Sequence, residues 1–315
     1  MQVLRLYGIE LVLVAALLGA IAFFGYLGYG LVYTTPTFSG EQALRYVERQ
    51  VENGDRTTGS ANNTAVGDWL AQEIADAGWK VYLQPFTLTN GMGARNIIAL
   101  SDPNNTAAPV ALLAAHYDTR LQADADPVAE RQSLPALGAN SNASGVALLL
   151  ELIRTFNLEQ SPYTYCLALF DADDNGNLPN WDAFWGTQFF VQNSAESIDR
   201  CRQPSLIILV DSVGYAGQSL SIVAENEGTT IRDALQQVAG ELGYAARFRS
   251  DSAGIITSPL LQLGAPTVMI TSFTYPHRYT TQDTLDKVSA DSLLSVGRTL
   301  ESWLEGSTTD AQASR

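Results

Sequence analysis

Apolar residues run almost unbroken from Val110 to Ala115, and comparable short runs recur at Tyr165–Phe170, Leu206–Val210 and Thr267–Thr271. Runs of this length without polar alternation suit strands buried on both faces of a sheet. Two more strands are expected near Lys80–Thr87 and Asn96–Leu100, with Asn90-Gly91 turning between them. Helical patterns fill the intervals. Ser39 stands where an N-cap would open a helix through about Glu52. Ala65, Trp69, Leu70, Ile74 and Ala77 recur on one face of a helix over about 62–77, which Gly78 closes as a C-cap. An apolar helix is expected over about 142–156. Strands alternating with helices predict an α/β domain with a mostly parallel central sheet and helices on both faces.

The pattern at the start of the chain is different. From Ile9 to Tyr33 the only charge is Glu10, at the edge of the run. A helix needs about 20 apolar residues to cross a bilayer, and this run supplies them. The competing reading is a cleaved signal peptide, whose apolar core is shorter and ends in a small-x-small site. The run here ends in bulky Tyr and Leu, which favours an uncleaved transmembrane anchor. Arg5 and the amino terminus are the positive charges ahead of it, so a cytoplasmic N-terminus and an extracytoplasmic domain are expected. The chain then divides into a short segment 1–8, an anchor 9–33, a linker 34–39, an α/β domain 40–305 and a disordered tail 306–315.

Charge and cysteine usage narrow the partners. The formal net charge is −15, with 18 basic residues that form no cluster, which disfavours nucleic acid and anionic membrane surfaces. Cys166 and Cys201 are too few for a zinc knuckle or a disulfide-dense scaffold. They could pair with one another if their strands are neighbours and the domain is extracytoplasmic; otherwise Cys166 is a small buried apolar residue. Asn62, Asn104 and Asn142 each begin an Asn-x-Ser/Thr triplet, which has meaning only in a glycosylating source.

Candidate chemistry gathers at strand exits. In a parallel sheet the carboxyl ends share one edge, where ligand sites form. His116 and Asp118, Asp173 and Asp174, Asp211, and His277 follow four separate strands. A lone acidic residue in such a place is usually a helix cap, but acidic residues and both histidines at four exits point to one site.

In their order along the chain these residues resemble metallopeptidase family 28, the zinc aminopeptidases and glutaminyl cyclases. The resemblance covers about 42–304 and rests on Arg56-x-x-Gly59-Ser60, Arg95-Asn96-Ile97-Ile98, His116-Tyr117-Asp118, Gly138-Ala139-Asn140-x-Asn142-Ala143-Ser144-Gly145-Val146, Phe170-Asp171-Ala172-Asp173-Asp174, Asp211-Ser212-Val213-Gly214 and Thr281-Gln282-Asp283-Thr284. Trp181 to Thr187 looks like the Trp-bearing insertion of the glutaminyl cyclases, which makes Trp181, Trp185 and Tyr279 expected pocket residues. The resemblance implies two zinc ions. His116, Asp174 and Asp211 fall on ligand positions, and Asp173 falls on the general-base position, with Asp118 beside His116. The bridging carboxylate falls on Ser141 and the final histidine on Thr280, with His277 three positions earlier.

Zinc takes imidazole, carboxylate or thiolate ligands, so neutral hydroxyls at 141 and 280 are poor substitutes. Asp where the family has Glu, at 173 and 174, draws each carboxylate back by about 1.5 Å. Calcium or magnesium could use the surviving oxygens only weakly. Two function classes stay open. One is a non-catalytic domain that binds a peptide, a protein N-terminus or another partner. The other is an active aminopeptidase or glutaminyl cyclase-like acyltransferase, using His116, Asp174, Asp211 and His277.

Overall fold

A computed structural model of the chain describes residues 2–33, 36–159, 161–193, 198–217, 219–249 and 254–310. It forms two units, Met1–Pro36 and Thr37–Arg315. The first is a single helix, α1 (Gln2–Tyr33). Its described side chains, at 10 and 12–26, are exposed, Phe24 at 68%. Among the described residues no helix is long and apolar enough to cross a membrane. The expected anchor over 9–33 therefore lies partly outside the described side chains.

The second unit is built on one sheet of seven strands: β1 (Lys80–Thr87), β2 (Gly93–Leu100), β3 (Val110–His116), β4 (Thr164–Phe170), β5 (Leu206–Asp211), β6 (Ser221–Glu225) and β7 (Thr267–Thr271). Their order across the sheet is β1-β2-β4-β3-β5-β7-β6. The four central strands, β4, β3, β5 and β7, are parallel, whereas β1, β2 and β6 join antiparallel at the two sides. The sheet is mixed rather than mostly parallel. The reason is local: the turn at Asn90-Gly91 returns β2 directly beside β1, with Gly91 at φ 83° and Met92 N–H donating to Asn90 Oδ1 at 3.0 Å.

The double burial of the central strands follows from coverage of both faces. Ala111, Leu113 and Ala115 of β3 belong to one apolar cluster, and Val110, Leu112 and Ala114 to the other, the period of two that a strand imposes. The first cluster is completed by α2 (Gly40–Val51), α3 (Ala61–Asp76), α4 (Ser144–Thr155), α6 (Thr229–Glu241) and α7 (Ala290–Asp310). The second holds Phe190 and Val191 of α5 (Trp185–Gln192). Ser39 and Ser60 cap α2 and α3 by accepting the N–H groups of Gln42 and Asn63. Gly78, at φ 86°, follows the C-cap of α3. Helix α7 runs to Asp310, past the expected start of a disordered tail at 306, and 311–315 lie outside the described residues.

Cys166 and Cys201 form a disulfide with Cα atoms 5.5 Å apart. They pair although their strands are not neighbours, since β3 lies between β4 and β5. Cys201 instead sits in a short helical turn ahead of β5, which brings its thiol over β3 to β4. Closing a loop with a sequence separation of 35 contributes roughly 4 kcal/mol on the chain-entropy account.

Candidate functional site

The parallel strands place their carboxyl ends on one edge, and the loops leaving them are tied together by buried polar groups. Asp118, fully buried after β3, accepts the backbone N–H groups of Asp173 at 3.1 Å and Asp174 at 3.0 Å. That fixes the exit of β4 against the exit of β3. Arg56 is also fully buried, and its guanidinium donates to four carbonyls: Tyr117 at 3.0 Å, Gln50 at 3.3 Å, Leu137 at 3.1 Å and Gly138 at 3.1 Å. Burial lowers its pKa to about 10, against the pull of Asp283 and Asp118, so it stays charged at neutral pH.

Segment 138–143 backs His116 and Asp174. Gly138 takes φ 63°, and a Cβ there would lie 2.3 Å from Asn142 Oδ1, so the tight entry excludes a side chain. Residues Ala139–Ala143 then form a wide, π-helical turn before α4. Such turns are rare and concentrate at functional sites. The carboxylate of Asp283 anchors it, accepting from Asn140 N at 2.8 Å, Ser141 N at 3.1 Å, the Ser141 hydroxyl and the Tyr275 hydroxyl at 2.7 Å. Ser141 is thereby committed to the loop, and Asn142 is the side chain turned toward the site. Its Nδ2 lies 2.8 Å from Asp174 Oδ2, 2.7 Å from the Asp118 carbonyl and 3.3 Å from His116 Nδ1.

On the far side, Asp211 at the end of β5 is engaged by an arginine. Arg278 Nη2 donates to Asp211 Oδ2 at 3.0 Å and to Ser212 Oγ at 2.6 Å. Burial opposes the Arg278 charge, but Asp211 more than compensates and raises its pKa. His116 behaves alike: burial is outweighed by the hydrogen bond to Asp118 and the charges of Asp174, Asp118 and Asp211, and its pKa rises to about 10. Burial pushes Asp173 up to about 7, reinforced by Asp118, and Asp174 up to about 6, against the His116 charge. The Asp173 carboxylate accepts from Thr187 N at 3.0 Å and from the Thr187 hydroxyl.

Ala172, Phe184, Ser212 and Tyr279 all carry positive φ, between 53° and 63°. Each sits at or next to a cleft residue, and left-handed backbone in such residues is costly and concentrates at functional sites. Together these loops enclose a cavity of about 330 Å³. His116, Asp173, Asp174, Asp211, Arg120, Arg278 and Tyr279 supply its ionisable lining, Asn177, Thr187, Thr257 and Ser258 its other polar side chains, and Phe170, Phe184, Leu209, Met269 and Phe273 much of its apolar lining.

The expected site residues are thus distributed. His116, Asp173, Asp174, Asp211 and Tyr279 line the cavity, while Asp118 and Ser141 are buried behind it. Trp181 and Trp185 pack on each other with ring centroids 6.4 Å apart, and it is Ala183 and Phe184 between them that reach the cavity. His277 lies against Tyr215 and Tyr275, at centroid distances of 6.1 and 5.6 Å. Thr280 Oγ1 donates to the His277 carbonyl at 2.8 Å, so Tyr279, not Thr280, presents its side chain to the cavity. Asn142, which the sequence marks as a glycosylation triplet, a helix start and a member of the 138–146 motif but not as a site residue, is buried. Arg120 and Arg278 carried no signal in the sequence beyond their nearness to the His116 and His277 motifs.

Two zinc ions would need imidazoles and carboxylates with free lone pairs converging on one point. Here Asp211 is taken up by Arg278, Asp174 accepts from Asn142, and the Ser141 hydroxyl is spent on Asp283. Among the described residues no group of three or more His, Cys, Asp or Glu is arranged to hold a metal ion.

An α/β sheet with this cleft at the carboxyl ends of its parallel strands is the zinc-exopeptidase architecture. The profile of peptidase family M28 matches residues 96–304, and the chain belongs to that family. Among solved structures it is similar to a glutaminyl cyclase of Porphyromonas gingivalis, 28% identical with a TM-score of 0.77, covering 86% of this chain and 99% of that one. It is similar to a leucine aminopeptidase precursor of Bacteroides thetaiotaomicron, 27% identical with a TM-score of 0.76, covering 86% and 98%. A glutaminyl-peptide cyclotransferase-like protein of Mus musculus is 30% identical over 178 residues, 50% of this chain. That match spans 44% of the mouse protein, less than half its length.

Proposed function

We propose that this chain is a metal-independent member of the family, which binds a small amine-bearing ligand or a peptide N-terminus in the cavity without cleaving it. The observation that carries the reading is the Arg278–Asp211 ion pair at 3.0 Å, a protein cation on a carboxylate that zinc would otherwise use. A carboxylate held by a guanidinium is a poor metal ligand, and a bound metal would have to displace a half-buried, charge-assisted hydrogen bond. Asp173 and Asp174 offer carboxylates to an ammonium group, and the phenylalanines offer apolar surface to a side chain.

The test uses the full chain in detergent. Its melting temperature is expected to be unchanged by a chelator or by added zinc, with less than stoichiometric zinc by elemental analysis. No release of a chromogenic N-terminal amino acid is expected, nor cyclisation of an N-terminal glutamine. One zinc per chain with chelator-sensitive turnover would favour the second reading, an active aminopeptidase or glutaminyl cyclase-like enzyme. The left-handed residues around the cleft support that alternative, since such backbone is costly to keep. It would require His277 to leave Tyr215 and Tyr275, and Arg278 to leave Asp211.

We also propose that 9–33 anchors the chain in a membrane with the α/β domain outside the cytoplasm. The apolar run supports this, and so does the Cys166–Cys201 disulfide, which an oxidising compartment allows. The chain is expected to stay in the membrane pellet after carbonate extraction; release into the supernatant would sink the anchor.

A further inference from the structure

Arg278 does more than neutralise Asp211. Both of its side-chain contacts within hydrogen-bond distance use Nη2, to Asp211 and Ser212, and among the described residues no partner is found for Nε or Nη1. Its side chain is 25% exposed and lines the cavity, so these donors can meet a ligand. Arg120 cannot play that part, because its nitrogens are committed to Asp124 and to the carbonyls of Asp174 and Gly176.

The same cavity is lined by Asp173 and Asp174, and by the apolar side chains of Phe170, Phe184, Leu209, Met269 and Phe273. At about 330 Å³ it sits at the low end of ligand pockets, whose volumes run roughly 300–1,000 Å³. That volume suits a small molecule better than a chain segment. A molecule with an ammonium and a carboxylate on one carbon, carrying an apolar side chain, presents complementary groups to all three linings.

We infer that the cavity is a receptor site for a free apolar α-amino acid, with its carboxylate on Arg278 and its ammonium toward Asp173 and Asp174. The inference rests on the metal-independent reading and narrows its ligand. A peptide offers Arg278 only a neutral carbonyl, whereas a free carboxylate brings the opposite charge to the guanidinium.

The experiment is calorimetric titration of the full chain with leucine, leucinamide, N-acetylleucine and the peptide Leu-Gly-Gly. Leucine is expected to bind at least tenfold more tightly than leucinamide or the peptide, and N-acetylleucine, which lacks the ammonium, to bind least. In Arg278→Met the advantage of leucine over leucinamide should vanish while leucinamide binding persists. If that variant does not fold, the four-ligand comparison on the unaltered chain decides alone. Equal binding of leucine, leucinamide and the peptide would overturn the carboxylate assignment and leave the metal-independent receptor standing. No binding by any of them would overturn both. Leucine binding that a chelator abolishes would place a metal in the site and overturn both as well.

Discussion

Arg56→Met is expected to cost on the order of 3–5 kcal/mol of stability, the range seen when one member of a buried charged network is removed. The guanidinium donates to four carbonyls, those of Gln50, Tyr117, Leu137 and Gly138, from a position without solvent exposure. Methionine fills much of the volume but takes a donor from four carbonyls, of which Gly138 keeps the Ala143 N–H, and each buried group left unsatisfied costs about 1–3 kcal/mol before relaxation. The carbonyls of Tyr117, Leu137 and Gly138 belong to the loops that aim His116 and Asn142, so the loss should reach the cleft. Arg56→Lys should recover little, since an ammonium on a flexible stem cannot span acceptors that a planar fork reaches together. The check is urea unfolding followed by circular dichroism. A variant within about 1 kcal/mol of the unaltered chain would mean that water or loop movement satisfies those carbonyls after all.

Much of this architecture was legible in the sequence because it is periodic. The runs at Val110, Tyr165, Leu206 and Thr267 became β3, β4, β5 and β7 nearly to the residue, and Ser39, Gly78 and Asn90-Gly91 act where their chemistry predicts. Strand β6 went unread: Ser221–Glu225 is short, and it pairs antiparallel with β7, which is a tertiary fact. The site was legible in part for the same reason. His116, Asp173, Asp174 and Asp211 follow strands, so the topology alone collects them. What decides the chemistry is the contact of Arg278 with Asp211, 67 positions apart, and of Asp283 with Ser141, 142 apart. No local pattern encodes such pairs. A wide turn also shifts which side chain faces inward, so that Asn142 rather than Ser141 meets His116.

Asp173→Asn is expected to stabilise the chain at pH 8 and to leave it unchanged near pH 3. Burial and the Asp118 charge raise the Asp173 pKa from the ordinary 3.8 to about 7. Below the lower value the carboxyl is protonated in both folded and unfolded chains, and its ionisation does not enter. Between the two values the unfolded chain gives up its proton while the folded chain keeps it, so stability falls as pH rises. The full deficit is in place above about 7 and amounts to a few kcal/mol, at roughly 1.4 kcal/mol per pH unit. Asp171 and Asp174, raised to about 6, act in the same direction, and His116, raised to about 10, extends the decline from its ordinary 6.5 upward. Asparagine removes one of these ionisations and keeps the geometry. Its carbonyl can accept from Thr187 N, and its amide can donate to the Thr187 hydroxyl, which accepts as readily as it donates. Ligand affinity should drop at the same time if the carboxylate meets an ammonium, the usual exchange of function for stability. Melting temperatures across pH 3 to 9 separate the causes. A gain of equal size at both ends would assign the effect to packing rather than to a buried charge, and a loss at pH 8 would mean that the carboxylate is compensated by a cation in the folded protein.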